Sequence, residues 1–366
     1  MTRIGLDARL TAYRAGGTST YIRALASAIA DMHPPEQMTI IQSRRAREPI
    51  DPRLPHLTAW TPPHHRLERI ALSAELLRAR FDVLHSPDFI PPWHGGRRHV
   101  ITVHDLAFLM YPQQMTADSQ RYYNDQIAWA VERADHILAV SSATRDDLIR
   151  LLNVRPDRIT VQYHGVDPAF YPMDGSELAQ GLAGFSLTPG YLLFVGTIGP
   201  RKNIEGLCEG YRIARESVAD IPPLVIVGEE GWLAERAMTA IHTTPGVVHI
   251  PGAPWAAFPA FYSGARALIL PAHYEGFGLP ALEAMACGTI PIVSDRGSLP
   301  EVVDGVGLLV NPDDPQSICD AICRVSAPDT AWLDDQRQAG LRRSAQFTWG
   351  RSAQIAMETY RRVVAA

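Results

Sequence analysis

The sequence is poor in lysine, which makes its one lysine informative. Of the 34 basic residues, only Lys202 is a lysine and the rest are arginines. Codon usage alone can produce such an arginine bias. A single retained lysine nevertheless indicates a site that needs a compact ammonium with three donors rather than a planar guanidinium.

Metal-binding and disulfide patterns are also scarce. The chain has no Asp-x-Asp triplet, and its His, Cys and Asp residues show no metal-ligand spacing. The four cysteines form no Cys-x-x-Cys pair and accompany no secretory signal, which predicts free thiols in a reducing compartment. No apolar run approaches the length of a membrane span. We therefore expect a cytoplasmic protein, and peripheral attachment to a membrane stays open.

Length and charge narrow the class of protein further. A chain of 366 residues exceeds a usual single domain, which favours two domains. The hydrophobic fraction of 46% is that of an ordinary soluble globular protein. A net charge of −5 argues against a nucleic-acid partner.

Short apolar runs alternate with helical periodicity along both halves. This alternation predicts an α/β protein with doubly wound parallel sheets and ligands at the carboxyl ends of the strands. The predicted strands cover residues 3–7, 39–41, 83–85, 100–103, 137–140, 159–161, 191–195, 224–227, 247–250, 267–270 and 290–294.

Two segments between these strands have distinctive compositions. Residues 43–65 are rich in Pro, Arg and His, which predicts an irregular loop. Residues 67–81 have the pattern of an amphipathic helix with arginines at its margins. Such a charge pattern favours a solvated face, and the alternative is a surface for acidic lipid headgroups or for the diphosphate of an acceptor.

The segment from Ala267 to Gly288 is the most informative in the chain. It predicts a buried strand, a loop with two glycines around Phe277, and a helix with Pro280 in its first turn and Gly288 as its stop. A glycine loop that leads into a helix N-terminus is an anion site, because free amides and the helix dipole both point at the ligand.

Two carboxylates bracket this loop. Glu275 stands at its entrance and Glu283 lies one turn into the helix. A carboxylate repels a bound phosphate, so both are better interpreted as acceptors for sugar hydroxyls beside the phosphates. The alternative is a surface glutamate and a second glutamate that only solubilises the helix.

Arg201, Lys202 and Asn203 follow the strand 191–195 at the start of a helix. Two cations and a helix dipole converge there, which favours a phosphate site. A surface basic pair at a helix N-terminus is the alternative, and the dipole disfavours it.

The N-terminal half offers two weaker candidates. Gly16 and Gly17 begin a glycine loop at 16–20 after the first strand, and His104 directly follows strand 100–103, where a ligand-facing residue would lie. The alternatives are an ordinary tight turn for the glycines and a structural hydrogen bond for the histidine.

Together these motifs carry a family resemblance. The phrases GLDARL, TVHDL and VGTIGPRKN, and the Glu-x7-Glu pattern of EGFGLPALEAMACG, resemble the retaining, family-4-like glycosyltransferases of the GT-B fold. They look most like the mannosyltransferase branch of O-antigen and exopolysaccharide assembly. The resemblance implies two Rossmann-like domains that face each other across a cleft, at 1–170 on the acceptor side and 171–349 on the donor side. A helix at 350–366 would pack back on the N-terminal domain.

The resemblance also implies an activity. A hexose, expected to be α-mannose from GDP-mannose, would move with retention to a saccharide acceptor carried on a polyprenyl diphosphate, at the inner face of the cell membrane. The nucleotide sugar would be a substrate, and neither a cofactor nor a metal is expected. In many relatives an acidic pair stands near residues 252–258, and its absence here leaves the choice of donor less secure.

The same resemblance assigns roles to the candidate residues. Arg201 and Lys202 would hold the β-phosphate, Glu275 the hexose hydroxyls and Glu283 the ribose. His104 would lie beside the transferred sugar. The donor would also contact Gly16, Gly17, Thr197, Phe277, Gly278 and Leu279.

Other functions stay open at this point. The same fold could use a UDP-sugar donor, or epimerise a nucleotide sugar without any acceptor. A pyridoxal-phosphate phosphorylase would need a Schiff-base lysine, for which Lys202 is the only candidate. A sugar-binding module would bind without turnover.

Overall fold

The chain divides into two compact units. The computed structural model describes residues 1–13, 16–115 and 117–366, without the side chains of 117–122 and 125. Unit 1 comprises Met1–Met110, Ala117–Gly165 and Thr348–Ala366, and unit 2 comprises Tyr111–Thr116 and Val166–Phe347. Each unit is built around its own parallel sheet.

Seven parallel strands form the sheet of unit 1 in the described part of the chain, in the order β3-β2-β1-β4-β5-β6-β7. They are β1 (Arg3–Asp7), β2 (Gln37–Ser43), β3 (His56–Ala59), β4 (Phe81–Ser86), β5 (Gly96–Val103), β6 (His136–Ala139) and β7 (Ile159–Val161). The strand order reverses between β1 and β4. A ligand-binding crevice in such a sheet lies at the carboxyl ends of the strands at this switch point.

The described strands of unit 2 form a parallel sheet of six, in the order β10-β9-β8-β11-β12-β13. They are β8 (Tyr191–Val195), β9 (Leu224–Val227), β10 (Val247–Ile250), β11 (Ala265–Leu270), β12 (Ile290–Ser294) and β13 (Leu308–Val310). Here the order reverses between β8 and β11, which are the two strands that precede the candidate phosphate loops.

Helices connect the strands of both units. In chain order they are α1 (Gly17–Asp31), α2 (Glu68–Leu76), α3 (Ala107–Met110), α4 (Ala117–Arg133), α5 (Ser142–Leu152), α6 (Gly175–Leu182), α7 (Ile204–Ser217), α8 (Glu235–Thr243), α9 (Phe258–Gly264), α10 (Leu279–Ala286), α11 (Leu299–Val303), α12 (Pro315–Ser326), α13 (Thr330–Ser344) and α14 (Trp349–Ala365). In the described part of the chain, none of them has both the length and the apolar character of a membrane span.

The C-terminal helix α14 belongs to the core of unit 1. Its buried face carries Ala353, Met357 and Tyr360, which cluster with Ile22 and Leu25 of α1. The Thr348 side chain caps the helix by accepting from the amide of Arg351. Burial of this apolar stripe fixes the last helix onto unit 1, although it is distant in sequence from the rest of that unit.

The predicted alternation of strands and helices is confirmed, with differences in three segments. β13 was not among the predicted strands, and it extends the sheet of unit 2 by pairing with β12. The irregular loop expected at 43–65 contains β3, which pairs with β2 at the sheet edge. Only Ala59 of this strand is buried, so the sequence shows no strand periodicity. The helix expected at 67–81 ends earlier, because Arg80 adopts a left-handed φ of 51° and Phe81 already begins β4.

Candidate active site

Two loops of unit 2 meet at the switch point of its sheet. The first follows β8 and contains Arg201 and Lys202, and the second follows β11 and contains Glu275. A backbone hydrogen bond of 2.9 Å from the amide of His273 to the carbonyl of Arg201 joins the loops directly. Because β8 and β11 are adjacent and parallel, residues more than 70 positions apart in sequence come together at one edge.

The cations and the first carboxylate form one cluster. The Lys202 ammonium donates to Oε1 of Glu275. The Arg201 guanidinium donates to the carbonyl of Tyr274 at 3.0 Å and lies 3.5 Å from Oε2 of Glu275. Burial by itself would raise the pKa of Glu275, but Lys202 and Arg201 outweigh it and lower that pKa. The cluster therefore holds an ionised carboxylate between two cations.

The main chain fixes this cluster from both sides. Asn203 caps α7 by accepting from the amide of Gly206, and its own amide donates to the carbonyl of Pro312 at 2.7 Å. The carbonyl of Glu275 accepts from both the amide and the hydroxyl of Ser298, at 3.1 and 3.0 Å. These bonds hold the two loops in place without using the cations.

The glycine loop leads directly into α10. Gly278 stands at the N-cap with a φ of 91°, a conformation that favours glycine, and Pro280 lies in the first turn. The side chain of Phe277 is buried edge-on against Phe347. The positive end of the helix dipole lies beside Gly278 and Leu279.

Glu283 lies one turn further along α10, beside Tyr262. The hydroxyl of Tyr262 donates to its Oε2 at 2.6 Å. Burial raises the pKa of Glu283 to about 7, and the charge of Asp167 acts in the same direction, against the hydrogen bond from Tyr262. Glu283 thus changes its protonation near neutral pH.

Unit 2 accordingly assembles most of the predicted donor residues. Arg201, Lys202 and Glu275 are in contact, and the loop through Phe277, Gly278 and Leu279 continues from them to Glu283. Thr197 is exposed in the loop that follows β8.

The predicted residues of unit 1 lie around the start of α1. Gly16 is the N-cap of α1 with a φ of 124°, and Gly17 is its first residue. His104 follows β5, and one of its ring nitrogens bonds to the carbonyl of Pro87 at 2.9 Å. Tyr21 of α1 contacts His104 edge-on, with 5.1 Å between ring centroids.

The environment of His104 favours the neutral form of its ring. Burial lowers its pKa, against the opposing charges of Asp88 and Asp105 and the bond to the carbonyl of Pro87. A neutral imidazole can donate one hydrogen bond and accept another, but it does not supply a positive charge.

Sequence reasoning did not single out His164, a buried histidine that lies beside His104 in unit 1. The His164 ring stacks on Trp349 at 5.5 Å and lies 5.6 Å from the His104 ring. Gly165 explains the close approach, because a Cβ there would lie 2.1 Å from the amide nitrogen of Trp349. The only sequence signal was the glycine next to a histidine, since Trp349 is distant in sequence.

A second missed feature is a pocket at the carboxyl ends of β1 and β4. Arg9 is 1% exposed and donates to both Asp7 and Glu68, at 2.7 and 2.6 Å. His64 pairs with Asp88 on the same pocket wall. These residues come from three separate segments, so no local pattern reveals them.

Comparisons with known proteins identify the family. The model described as "Glycosyl transferases group 1" matches residues 183–339, and the model described as "Glycosyltransferase Family 4" matches residues 15–170. The chain is 34% identical to O-antigen chain mannosyltransferase B of Escherichia coli over 276 residues, which cover 73% of this chain and 71% of that protein.

Two further comparisons extend this result. The chain is 28% identical to the serotype-specific mannosyltransferase WbdA of Escherichia coli over 75% of its own length, but it spans only 34% of that protein. Sucrose-phosphate synthase from Thermosynechococcus elongatus shares the fold, with a TM-score of 0.79, 23% identity and 100% coverage of both chains. The chain therefore belongs to the GT-B glycosyltransferases, with family 4 and group 1 sequences in its two halves.

Proposed function

We propose that this protein transfers α-mannose from GDP-mannose, with retention of configuration, to a saccharide carried on a polyprenyl diphosphate. The acceptor would belong to cell-surface polysaccharide assembly at the inner face of the cell membrane. The observation that carries the proposal is the cluster of Lys202, Arg201 and Glu275 beside the N-terminus of α10. The relative named as an O-antigen chain mannosyltransferase supports the choice of sugar and pathway, and the relative named as a serotype-specific mannosyltransferase supports the choice of sugar.

The cluster fits a diphosphate leaving group. As the bond from the anomeric carbon to the β-phosphate breaks, negative charge develops on the departing diphosphate. Lys202 and Arg201 stabilise that charge more in the transition state than in the bound donor. The Lys202 ammonium donates a hydrogen bond to Glu275 in this structure. With the donor bound, it would donate hydrogen bonds to both the carboxylate and the phosphate.

The transfer balances without a protein nucleophile. The acceptor oxygen bonds to the anomeric carbon on the face that the phosphate leaves, and its proton passes to an oxygen of the departing diphosphate. The products are a mannosylated acceptor and GDP. Glu275 would accept hydrogen bonds from the mannose hydroxyls, and Glu283 would accept from the ribose. The roles of Gly16, Gly17, Thr197 and His104 stay predictions.

We propose that the reaction needs no metal ion. Two cations next to the helix N-terminus already supply the charge that a divalent ion would otherwise provide. Full activity in EDTA is the expected result, and a strict requirement for added Mn²⁺ or Mg²⁺ would contradict this part of the proposal.

The experiment that tests the function incubates the purified chain with GDP-mannose or a UDP-hexose, with and without a lipid-linked mannoside acceptor. Released nucleoside diphosphate and the extended acceptor are measured by mass spectrometry, and NMR gives the anomeric configuration. We expect acceptor-dependent release of GDP and a new α-linkage. An isomerised nucleotide sugar without release of GDP would identify an epimerase. Turnover of the UDP-hexose but not of GDP-mannose would assign a UDP-sugar as the donor. Binding of a nucleotide sugar without any turnover would contradict an enzymatic function.

A further inference from the structure

Tyr262 and Glu283 lie in neighbouring helices of unit 2 and share a hydrogen bond. Tyr262 belongs to α9 and Glu283 to α10, and the hydroxyl of Tyr262 donates to Oε2 of Glu283 at 2.6 Å. Tyr262 is fully buried, whereas Glu283 keeps part of its surface accessible. The tyrosine therefore bonds to the carboxylate from the protein side.

The second oxygen of this carboxylate is left for another donor. In the described part of the chain, the bond from Tyr262 is the only hydrogen bond seen to the side chain of Glu283. An ionised carboxylate has two oxygens and about four positions at which it accepts hydrogen bonds. Because Glu283 is only half-buried, a ligand at this surface can donate to the oxygen that Tyr262 does not use.

Tyr262 is itself held in place by the elements around it. Its ring lies edge-on against Phe170, with 5.7 Å between the ring centroids. The hydroxyl of Thr289 donates to the carbonyl of Tyr262. The hydroxyl of Tyr191, in β8, donates to the carbonyl of the preceding residue of α9 at 2.7 Å. These contacts fix the ring and the main chain of α9, so the phenol can hold the carboxylate in one orientation.

The groups around Glu283 act on its charge in opposite directions. Burial raises the pKa of Glu283 to about 7, the hydrogen bond from Tyr262 opposes this rise, and the charge of Asp167, before α6, adds to it. Cys287 lies one turn along α10, and burial raises its pKa to about 12, so its thiol stays neutral. Burial also raises the pKa of Tyr262 well above its usual value, with the charge of Glu283 acting in the same direction. The phenol therefore stays protonated, as a donor, while Glu283 titrates.

We propose that Tyr262 is a positioning residue for the nucleotide. Its hydroxyl holds Glu283 so that the second oxygen of the ionised carboxylate accepts from the ribose of the nucleotide sugar. This role rests on the proposed function, in which Glu283 binds the ribose. Tyr262 orients that carboxylate and favours its charged, accepting form. It would not touch the nucleotide itself, because it is fully buried behind Glu283.

A tyrosine that only satisfied a buried polar group would behave differently when its hydroxyl is removed. Its loss would lower stability and would weaken binding by the same factor at every pH. A positioning tyrosine also changes the pH at which the nucleotide binds, because removal of a bond to the charged carboxylate favours the protonated form. Loss of the Tyr262 hydroxyl should therefore raise the pKa of Glu283, and tight binding should begin at a higher pH.

The test is calorimetric titration of the purified full chain with GDP-mannose from about pH 6 to about pH 9. GDP-mannose is the probe because both ends of its diphosphate are esterified, whereas a terminal phosphate would itself titrate near about pH 6. The affinity of the wild type should rise with a midpoint near the pKa of Glu283, about 7. In Tyr262→Phe the midpoint should lie about one pH unit higher. The affinity should then be about threefold weaker than that of the wild type at about pH 7.5 and nearly equal at about pH 9.

Three controls separate the role of the hydroxyl from general damage. Tyr191→Phe removes another buried tyrosine hydroxyl that bonds to α9, and it should keep the wild-type midpoint. Glu283→Gln should bind without the pH-dependent step. Tyr262→Phe added to Glu283→Gln should change the affinity less than about twofold, because no carboxylate is left to position. Circular dichroism and the melting temperature check that each variant is folded.

A second substitution keeps both the ring and the hydroxyl. Site-specific replacement of Tyr262 by a tyrosine fluorinated next to its hydroxyl makes the phenol a stronger donor, so the midpoint should move below that of the wild type. An unchanged midpoint in both Tyr262 variants would overturn the proposal. An equal shift in Tyr191→Phe, or an equal loss of affinity when Tyr262→Phe is added to Glu283→Gln, would overturn it as well.

Failure of the proposed function gives a different result. A chain that binds GDP-mannose with the expected midpoints but transfers no mannose would keep the role of Tyr262 and reject the proposed transfer. Binding of a UDP-hexose but not of GDP-mannose would assign a UDP-sugar as the donor, and the same variants are then titrated with that UDP-hexose. A chain that binds neither nucleotide sugar would reject both proposals.

Discussion

Unit 1 buries histidine, arginine and carboxylate side chains in its interior, whereas unit 2 buries apolar side chains almost throughout. The buried charged and histidine side chains described in unit 1 are Arg9, Asp51, Glu68, His85, His99, His136, Asp147 and His164. In unit 2 the corresponding set among the described residues is Glu275. The two units share a sheet architecture and differ in where they place charge.

The polar groups of unit 1 are joined in networks that span several elements. Tyr21 of α1 donates to Gln162 at 2.7 Å and bonds to Thr102 of β5 at 2.9 Å. His85 of β4 bonds to the same Thr102 and to Tyr360 of α14, both at 2.7 Å. Such networks favour one arrangement of the helices, because any other packing would leave buried polar groups without partners.

The two units use their buried polar and charged side chains differently. In unit 1 the networks connect elements and contribute to the fold. In unit 2 the buried carboxylate of Glu275, with Arg201 and Lys202 beside it, lies at the carboxyl edge of the sheet, where a ligand binds in this architecture. Substitution should therefore affect stability in unit 1 and turnover in unit 2.

The largest expected effect is on the stability of unit 1. Arg9→Met removes the partner of two carboxylates, and it leaves Glu68, whose pKa burial already raises, without the cation that opposes this shift. We expect a loss of about 3–5 kcal/mol in the free energy of unfolding. Chemical denaturation with fluorescence detection measures it. Arg212→Met, at an exposed helical position of unit 2, is the control and should stay within about 0.5 kcal/mol of the wild type.

A drop in pH should also destabilise unit 1 more than unit 2. Burial lowers the pKa of His85 to about 3 and that of His136 to about 4. A histidine with a lowered folded pKa contributes stability above its unfolded pKa of about 6.5, and this contribution is lost as the pH falls towards the folded value. At about pH 5, each histidine should cost about 2 kcal/mol.

Hydrogen exchange measures this effect in each unit separately. After correction for intrinsic rates, protection of β4 in unit 1 should fall between about pH 8 and pH 5 more than protection of β11 in unit 2. Glu283 affects the stability of unit 2 in the opposite sense. Its pKa is raised in the folded state, so its protonation stabilises the folded state as the pH falls. Equal losses of protection in β4 and β11 would contradict the expected difference between the two units.

In unit 2 we expect the cluster of Arg201, Lys202 and Glu275 to determine kcat. Lys202→Ala should lower kcat by about 10²–10³-fold, because it removes a fixed charge aimed at the leaving group. Steady-state release of nucleoside diphosphate measures the effect. Lys202→Arg should recover only part of the loss, since a planar guanidinium replaces a compact ammonium. A wild-type kcat in the Lys202→Ala variant would show that Lys202 does not stabilise the leaving group. Arg236→Ala, on the exposed surface of unit 2, is the control and should keep the wild-type kcat.

The smallest effect concerns the affinity for nucleotide. The pKa of Glu283 is raised to about 7, so the carboxylate that would bind the ribose forms as the pH rises through that value. We expect GDP to bind about tenfold more tightly to the wild type than to Glu283→Gln at about pH 8. At about pH 6 the difference should nearly vanish, because the protonated glutamate resembles glutamine. Calorimetric titration that gives the same difference at both pH values would contradict this assignment.

Much of unit 2 was predictable because its signals are local. The strand before residue 271, the glycine loop, Pro280 and Gly288 follow one another in sequence, and the structure confirms the strand, turn and helix that they predict. The resemblance to GT-B glycosyltransferases is confirmed as well. The roles assigned to Lys202, Glu275 and Glu283 stay predictions.

Unit 1 was less predictable because its informative contacts are distant in sequence. The pairing of Arg9 with Glu68 joins residues 59 positions apart, and that of Tyr360 with His85 joins residues 275 positions apart. The edge strand β3 was missed because one buried residue gives no periodicity. The end of α2 was missed because the left-handed backbone at Arg80 has no glycine to mark it.

The sequence by itself determined the alternating α/β architecture, the glycine loop before α10 and the family, since each depends on periodicity or on motifs within a few residues. Only the tertiary structure decided that Lys202 bonds to Glu275, that buried polar networks stabilise unit 1, and that Tyr262 bonds to Glu283. These features depend on which strands and helices are neighbours. Parallel sheets bring together residues from remote segments, and no local pattern carries that information.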